Sequence, residues 1–320
     1  MVACGAGKTE MLFPGIEAAL KLGKRICIAT PRADVVRELK PRIQAAFQKV
    51  PVQALYGGSD DKTGSSQLII ATTHQLLRFY QTFDIVIIDE IDAFPFHNDE
   101  SLPFAVNRAK KEKSTTIYLT ATPRQNLRLR IALKKLPHTF VPVRYHGNPL
   151  PVPTLKICYA LKKSLRQQKI PKTLLEWITN RKNRQRQLLI FVPSIHLAKE
   201  VQLNLQKSHR NQLGDIVSVH SEDEQRVEKI EQFRNKKIDV LVTTTILERG
   251  VTFPSVDVVV LDSGHDVFDE AALVQIAGRA GRSADDPTGE VIFLHDGKTD
   301  AMVQAVHSIK TMNKRGGFSL

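Results

Sequence analysis

The sequence predicts an α/β protein made of two tandem domains, each built on a mostly parallel sheet flanked by helices. Three observations point to this class. Short apolar runs alternate with stretches of helical pattern along the chain. A length of 320 residues suits two domains of ordinary size. A proline-rich segment near the middle divides the apolar runs into two sets.

The apolar runs are the candidate strands. Most of them are apolar throughout, which is typical of parallel strands that are covered on both faces. The first set is Arg25–Ala29, Gln67–Ala71, Ile85–Ile88 and Thr116–Leu119. The second set is Gln187–Phe191, Ile216–His220, Val240–Thr243, Val256–Leu261 and Glu290–Phe293. We expect each set to form one sheet.

The segment Gly147–Pro153 lies between the two sets and contains three prolines in seven residues. Proline has no backbone N–H to donate, so this composition fits neither a helix interior nor a central strand. We therefore interpret the segment as a linker. The predicted limits are 1–146 for the first domain, 147–155 for the linker and 156–320 for the second domain.

The composition excludes several classes of protein. Hydrophobic residues make up 42% and charged residues 25%, which is typical of a globular protein and not of a disordered one. Three widely spaced cysteines argue against a disulfide framework or a zinc ribbon. No apolar run is long enough for a membrane span and no leader pattern is evident, so we expect a cytoplasmic location. A net charge of +13 indicates a polyanionic partner, either nucleic acid or an anionic membrane face.

A glycine-rich segment, Gly5-Ala6-Gly7-Lys8-Thr9, is a candidate phosphate loop. Backbone N–H groups beside glycines can close around phosphate oxygens, Lys8 can contact the β- and γ-phosphates, and Thr9 can ligate Mg²⁺. A helix behind the loop would add its N-terminal dipole. The alternative is an ordinary glycine turn, because Val2 stands where the motif usually has its first glycine.

Two carboxylates follow the apolar run Ile85–Ile88. In open α/β sheets, ligands bind at the carboxyl ends of the strands. We therefore expect Asp89 to hold Mg²⁺ and Glu90 to orient or deprotonate an attacking water. A solvated acidic turn is the alternative, and it fits poorly after four apolar residues. Together with the phosphate loop, this strand end predicts a nucleotide hydrolase.

A third motif, Gln275–Arg282, carries Arg279 and Arg282 among small residues. If the segment is helical, the two arginines lie on one face and can approach a transferring phosphoryl group closely. A basic helix end is the alternative interpretation.

As a set, these motifs resemble those of the superfamily 2 helicases. Motifs I, II, III and VI of that superfamily are similar to Gly5–Glu10, Asp89–Asp92, Thr120–Thr122 and Gln275–Arg282. Motifs Ia, Ib, IV and V are similar to Thr30–Arg32, Ala71–His74, Phe191–Ser194 and Thr243–Pro254. The resemblance implies two RecA-like domains, with ATP and Mg²⁺ bound in the cleft between the domains.

By matching position, the resemblance also implies roles for individual residues. The nucleotide-binding residues would be Gly5, Ala6, Gly7, Lys8, Thr9, Glu10, Asp89, Glu248 and Gly250, with Thr9 and Asp89 on Mg²⁺. The catalytic residues would be Glu90, Lys8, Arg279 and Arg282. Thr120 and Thr122 would couple hydrolysis to domain movement.

Within that superfamily, the segments 89–96, 146–153 and 277–289 resemble the ComFA family of competence proteins. This implies an ATP-dependent single-stranded DNA translocase or helicase-like motor that drives DNA uptake in transformation. Its implied partners are single-stranded DNA, the uptake channel and receptor proteins and a ComFC-like protein, with peripheral association at the inner face of the cell membrane left open. Two alternatives stay open: a PriA-like replication-restart helicase, and a non-catalytic DNA-binding remnant of such a motor.

The sequence departs from the family pattern in two ways. The family carries a four-cysteine zinc-binding segment that has no counterpart here, so we expect no zinc in this chain. The family also has a strand that leads into the phosphate loop. No such run precedes Gly5, so we expect the first domain to lack its first strand.

The resemblance and the residue chemistry together give candidate nucleic-acid contacts. Hydroxyls, backbone amides and an arginine suit phosphate contacts that ignore base sequence. The candidates are Thr30, Arg32, Gly57, Gly58, Thr72, Thr73, Ser194, His220 and Thr243.

Residues 151–186 contain ten basic residues and one acidic residue. One interpretation is an additional contact with DNA or an anionic membrane, and the other is a solvated basic helix face. Both interpretations stay open from the sequence.

Overall fold

A computed structural model of the chain describes residues 7–61, 63–93, 96, 99–248 and 251–319. Their contacts divide the chain into two compact units, with the first ending at Val141 and the second beginning at Pro142. Each unit is an α/β domain with its own parallel sheet. The predicted fold class is therefore confirmed.

The first unit contains a five-stranded sheet in the order β2-β3-β1-β4-β5, and every pair of neighbouring strands is parallel. The strands are β1 Ile26–Thr30, β2 Val52–Leu55, β3 Leu68–Thr72, β4 Phe83–Ile88 and β5 Lys110–Tyr118. The helices are α1 Phe13–Lys21, α2 Ala33–Ala46, α3 Ser101–Ala109 and α4 Gln125–Ala132. Short 3₁₀ turns cover Glu10–Leu12 and Thr73–Arg78.

Apolar side chains cover both faces of this sheet. Successive residues of β1 alternate between two core clusters, with Ile26 and Ile28 in one cluster and Cys27 and Ala29 in the other. All five residues of β1 are buried, as expected for a central parallel strand. Burial raises the pKa of the Cys27 thiol well above its usual value, so this cysteine is part of the core.

The second unit contains a six-stranded parallel sheet in the order β6-β11-β10-β7-β9-β8. The strands are β6 Thr154–Ile157, β7 Gln187–Phe191, β8 Ile216–Val219, β9 Val240–Thr243, β10 Val256–Leu261 and β11 Val291–His295. The helices are α5 Leu161–Arg166, α6 Lys172–Thr179, α7 Ile195–Leu213, α8 Arg226–Arg234, α9 Glu270–Ala277 and α10 Asp300–Arg315. A 3₁₀ turn follows β9 at Thr245–Leu247.

Side-chain caps fix the start of three helices in the second unit. Ser194 accepts a hydrogen bond from the N–H of Leu197 at the start of α7, and Asp269 and Thr299 do the same for α9 and α10. Each cap satisfies one of the N–H groups that a helix end leaves without an intrahelical partner. The caps therefore stabilise the first turn of α7, α9 and α10.

The structure corrects several predicted element limits. It adds two strands that the sequence analysis missed, β2 and β6, and it extends the last strand of the first unit back to Lys110. Both missed strands are four residues long and include polar residues, so they lack the apolar run used to find the others. The first two predicted strands, and the strand predicted at Glu290, begin one residue early.

The proline-rich segment packs within the second unit. The N–H of Leu150 donates to Oδ1 of Asn313 at 2.8 Å, and Nδ2 of Asn313 donates back to the Leu150 carbonyl at 2.8 Å. Both residues are buried. The end of the predicted linker, at Thr154, already belongs to β6. The contacts therefore place the boundary between the two units before this segment, between Val141 and Pro142. The domain limits 1–146, 147–155 and 156–320 stay a prediction.

Two arginines of the basic segment 151–186 form a buried ionic network. Nη1 of Arg181 lies 3.2 Å from one carboxylate oxygen of Asp257, and Nη1 of Arg186 lies 3.4 Å from the other. Arg186 also contacts Asp286 at 2.6 Å. The carboxylate of Asp257 is completely buried. These two arginines therefore have a structural role, while Lys182 and Arg184 are exposed.

We predict that Asp257→Asn lowers the free energy of unfolding by about 3 kcal/mol, because it removes the counter-charge of the buried Arg181 guanidinium and one of the two carboxylates that pair with Arg186. Urea unfolding of the purified chain measures this change. Glu176→Gln is the control, because Glu176 pairs with Lys172 on the surface of α6 and its loss should cost less than about 0.5 kcal/mol. Equal effects of the two substitutions would contradict the structural role of the network.

Candidate active site

The described part of the phosphate loop ends in a tight turn. Gly7 has φ +67°, a backbone conformation that favours glycine, and its carbonyl accepts a hydrogen bond from the N–H of Met11 at 3.1 Å. Thr9 is buried. Gly5 and Ala6 of the predicted loop lie outside the described residues. One 3₁₀ turn separates the loop from α1, so the α-helix starts later than the motif predicts.

The acidic pair lies at the carboxyl end of β4, as predicted from the sequence. The N–H of Asp89 donates to the carbonyl of Ala29 at 2.8 Å, which continues the pairing of β4 with β1 for one more residue. The N–H of Glu90 donates to Oδ1 of Asp89 at 2.9 Å. Glu90 has φ +54°, which is uncommon for a residue with a Cβ and marks a strained turn. Both carboxylates are buried, at 8% and 9% exposure.

Burial raises the pKa of Asp89 to about 6. The positive charge of Lys8 opposes this shift, while the charges of Glu90 and Asp92 add to it. A hard divalent cation would lower the cost of keeping Asp89 ionised, and the oxygen ligands of Thr9 and Asp89 are of the kind that Mg²⁺ prefers. The residues present therefore fit the predicted Mg²⁺ position.

Two threonines from the loop after β5 bind the third carboxylate. Oγ1 of Thr120 donates to Oδ1 of Asp92 at 2.6 Å, and Oγ1 of Thr122 donates to Oδ2 at 2.6 Å. The N–H of Thr122 also donates to Oγ1 of Thr120 at 3.0 Å. All three side chains are buried, with Asp92 at 1% exposure. The two segments therefore form one hydrogen-bonded unit.

Lys8 and Thr120 line the same cavity of the first unit, which has a volume of about 540 Å³. β5 contributes 116–118 to its wall, and α4 contributes Leu127 and Ile131. The volume lies within the usual range for small-ligand sites. The cavity therefore gives a ligand access to the predicted phosphate-binding lysine.

In the second unit, α9 ends at Ala277, with Gly278 as its C-cap. Arg279 and Arg282 lie in the non-helical turn that follows, so the helical arrangement considered from the sequence is wrong. Nε of Arg279 donates to the carbonyl of Glu248 at 3.1 Å, which joins two predicted site residues. Arg279 is 1% exposed. Gly250 lies outside the described residues.

The structure places the candidate nucleic-acid residues at or within three residues after the carboxyl ends of strands, and Gly57 and Gly58, which follow β2, are exposed. Ser194 is exposed and Arg32 half-buried, whereas the others are buried: Thr30, Thr72, Thr73, His220 and Thr243. The hydroxyl of Thr243 donates to the carbonyl of Val219 at 2.9 Å, so it ties β9 to β8. Direct contact of these residues with nucleic acid stays a prediction.

Some site contacts were missed by the sequence analysis. Arg42 of α2 forms an ion pair with Glu10. Nε of Arg124 donates to the carbonyl of Asp92 at 3.2 Å. Within the described residues, no group of three or more His, Cys, Asp or Glu side chains is arranged to hold a metal ion. No helix of the described ranges is both long and apolar enough to cross a membrane.

Comparison with known proteins identifies the family. The chain is 49% identical over 311 residues to "Competence protein ComFA" of Bacillus subtilis, covering 97% of the chain and 66% of that protein. It is 39% identical over 314 residues to the protein of the same name in Streptococcus pneumoniae, covering 98% of the chain and 72% of that protein. The chain belongs to the ComFA family of competence proteins. It spans about two thirds of the length of these relatives.

Family profiles agree with the two units. The DEAD/DEAH box helicase profile matches residues 1–129, and the helicase conserved C-terminal domain profile matches residues 168–284. These are the domains of ATP-hydrolysing, helicase-type enzymes of superfamily 2. This ComFA-family chain is also 26% identical over 337 residues to a transcription-repair-coupling factor of Staphylococcus haemolyticus, covering 27% of that protein.

Solved structures share the fold at low sequence identity. A Dbp5 variant of S. cerevisiae bound to RNA and ADP BeF3 has a TM-score of 0.70 at 19% identity, covering 99% of this chain and 82% of that chain. Helicase Lhr of Mycobacterium smegmatis, bound to ssDNA and AMP-PNP, has a TM-score of 0.69 at 16% identity, covering 98% of this chain and 46% of that chain. These similarities support two RecA-like units.

We predict that Asp89→Asn raises the free energy of unfolding at pH 7.5 by about 2 kcal/mol. The pKa of Asp89 in the folded chain, about 6, lies above its usual value of 3.8. The native state therefore holds this proton more tightly than the unfolded state, and the contribution of Asp89 to wild-type stability falls as pH rises from 4 to 6. Asparagine has no such proton, so the difference between the two proteins grows over this range.

The measurement is urea unfolding of both proteins at pH 4, 5, 6 and 7.5, with and without Mg²⁺. Mg²⁺ should stabilise the wild type and leave Asp89→Asn unchanged. Asp99→Asn is the control, because hydrogen bonds from Ser101 lower the pKa of that exposed carboxyl from its usual value of 3.8. Its contribution to stability is lost mainly as pH falls below that value, so the effect of Asp99→Asn should change little between pH 4 and 6. A stability difference between wild type and Asp89→Asn that is constant from pH 4 to 6 would contradict the account.

Proposed function

We propose that the chain is an ATP-driven motor that moves single-stranded DNA during competence. The observation that carries this proposal is the buried acidic strand end, where Asp89 lies within electrostatic range of Lys8 and of Glu90, and Asp92 is bound by two threonines. Membership of the ComFA family supports the setting in competence. A family relation to helicase-type ATPases supports the reaction.

Each part of the site has a proposed task in hydrolysis. Lys8 would neutralise charge on the β- and γ-phosphates, and Thr9 and Asp89 would hold Mg²⁺, which supplies charge neutralisation when bound. Glu90 would orient the attacking water and accept its proton. Arg279 and Arg282 would stabilise charge on the transferring phosphoryl group. This hydrolysis would depend on the position and charge of the groups around the phosphates. Burial of the carboxylates strengthens their electrostatic interactions, because it excludes water from the site.

The hydrogen bonds from Thr120 and Thr122 to Asp92 are the proposed route from hydrolysis to movement. These bonds connect the acidic strand end after β4 with the loop after β5. A displacement of the acidic end on hydrolysis would therefore be transmitted to the adjacent loop. DNA would be held through its phosphates, at the strand-end residues named above, so its sequence would matter little.

The proposed location is the cytoplasm, at the inner face of the membrane, with the uptake channel, its DNA receptor and a ComFC-like protein as proposed partners. The basic side chains Lys182 and Arg184, which are exposed, remain available for an anionic partner. This part of the proposal is carried by family membership more than by geometry.

The decisive assay compares ATP turnover by the wild-type chain and by Lys8→Ala, with and without single-stranded oligo-dT. We expect stimulation by the oligonucleotide, and a loss of turnover in Lys8→Ala on the order of 10²-fold or more, since the variant lacks a fixed charge at the phosphates. Lys21→Ala is the control, because Lys21 is an exposed lysine of α1 paired with Glu17. Turnover that is absent, or equal in the two variants, would favour the non-catalytic DNA-binding alternative.

A second prediction concerns coupling. Removing both hydroxyls in Thr120→Val/Thr122→Val should leave turnover without DNA within about threefold of wild type, and should reduce stimulation by DNA, because Asp92 loses two buried hydrogen bonds. Ser101→Ala serves as a control for loss of a hydroxyl bound to an aspartate, since Ser101 contacts the exposed Asp99. Full DNA stimulation in the double variant would refute the coupling role.

A further inference from the structure

Two consecutive side chains hold the turn that carries the site arginines. We name residues 278–282, which follow α9, the arginine turn. Arg144 donates from Nη1 to the Gly281 carbonyl at 2.6 Å and from Nη2 to the carbonyls of Gly278 and Ala280 at 3.1 and 2.8 Å. The hydroxyl of Tyr145 donates to the Arg282 carbonyl at 3.3 Å. Four of the five carbonyls of the turn are thus bound by adjacent residues.

The arginine turn needs such support because it cannot be held as a helix. Gly281 has φ +60°, and a Cβ at that position would lie 2.2 Å from the carbonyl oxygen of Pro287. This backbone leaves carbonyls pointing away from any helical partner, and buried carbonyls without donors are costly. Arg144 is 2% exposed and supplies several N–H donors in a fixed plane. A lysine could offer only a point charge to the same oxygens.

The side chains of the turn depend on this backbone for their direction. Arg279 is buried and reaches the Glu248 carbonyl, while Arg282 donates from Nε to Gly278 and from Nη1 to Thr252 at 3.4 Å. A shift of the backbone would redirect both guanidinium groups. Misplacement of a catalytic group by about 1 Å can cost on the order of 10²-fold in rate.

We propose that Arg144, assisted by Tyr145, is a positioning residue that fixes the arginine turn and thereby the direction of Arg279 and Arg282. This inference rests on the proposed ATPase function. Arg144 itself would not touch the nucleotide, because its guanidinium is occupied by backbone carbonyls within the second unit.

Arg144 also connects the segment that follows the first unit to the arginine turn. Arg144 lies three residues after Val141, where the first unit ends, and Leu150 of the same segment is bound by Asn313. The segment that leaves the first unit is therefore fixed to the second unit at two points, and one of these points is the arginine turn. Movement of this segment would be transmitted directly to the turn.

The test uses Arg144→Lys and Tyr145→Phe in the full chain, with Arg181→Lys as the matched control. Arg181 is likewise a buried arginine of the second unit that donates to backbone carbonyls, but it binds the carbonyls of Ile178 and Arg186 and the carboxylate of Asp257 rather than the arginine turn. For each protein, kcat and KM for ATP are measured with saturating oligo-dT. Thermal unfolding gives the folded fraction.

We expect Arg144→Lys to lower kcat by about tenfold or more with KM within about twofold, because the arginines act in the transition state more than in binding. Tyr145→Phe, which removes one hydrogen bond of an exposed side chain, should lower kcat by about two- to threefold. Arg181→Lys should lower stability and leave the kcat of the folded fraction unchanged. A wild-type kcat in Arg144→Lys, or an equal loss in Arg181→Lys, would overturn the proposal.

Limited trypsin digestion provides a readout that needs no ATPase activity. A released turn exposes the bonds after Arg279 and Arg282, so Arg144→Lys should be cut there about tenfold faster than wild type, as seen by mass spectrometry. Unchanged cutting at these two bonds would overturn the positioning role. If wild type shows no turnover but Arg144→Lys shows accelerated cutting, the proposed function fails while control of the turn by Arg144 stands.

Discussion

Three carboxylates lie buried within four residues at the carboxyl end of β4, and the first unit is arranged to offset the cost of keeping them there. Burial is the main cause of the raised pKa of Asp89, and the negative charges of Glu90 and Asp92 add to it. The compensating contacts come from separate parts of the chain. They are the charge of Lys8, the N–H of Glu90, and the hydroxyls of Thr120 and Thr122.

This constraint is the physical basis on which we propose that one strand end serves both binding and coupling. The raised pKa of Asp89 indicates that neighbouring groups do not fully compensate its negative charge. A metal ion would supply the missing positive charge, so Asp89 is suited to hold a metal that also binds nucleotide phosphates. Asp92 has both carboxylate oxygens bound by threonine hydroxyls, so it is suited to link β4 with the loop after β5. Glu90 lies between them in a left-handed backbone conformation, at a turn that separates the two roles. In the second unit, the backbone that carries Arg279 and Arg282 is held by Arg144.

Much of the fold could be predicted from the sequence because central parallel strands are apolar on both faces. β7, β9 and β10 have the predicted limits for this reason. The edge strand β6 and the short β2 carry polar residues, so hydropathy did not reveal them. The proline-rich segment was correctly expected to avoid regular structure over 147–153, but its contact with Asn313 spans 163 residues and leaves no local pattern.

In the candidate site, too, local features could be predicted from the sequence and long-range contacts could not. The acidic strand end follows from a local rule about parallel sheets and lies where it was expected. The hydrogen bonds from Thr120 and Thr122 to Asp92 depend on the register of β4 with β5, and the contact of Arg144 with Gly281 joins residues 137 positions apart. The sequence analysis considered a helical arrangement of Arg279 and Arg282, whereas Gly278 ends the helix and Gly281 adopts a positive φ. These features depend on tertiary structure, which spacing alone does not encode.

The most direct test of the account is the single-turnover rate of ATP hydrolysis by Glu90→Gln, measured together with the binding of a fluorescent ATP analogue. The substitution keeps the shape of the buried side chain and removes its ability to accept a proton. We expect nucleotide affinity within about threefold of wild type and a hydrolysis rate lower by on the order of 10²-fold or more. A hydrolysis rate within a few-fold of wild type would contradict the claim that this buried acidic strand end performs the chemistry.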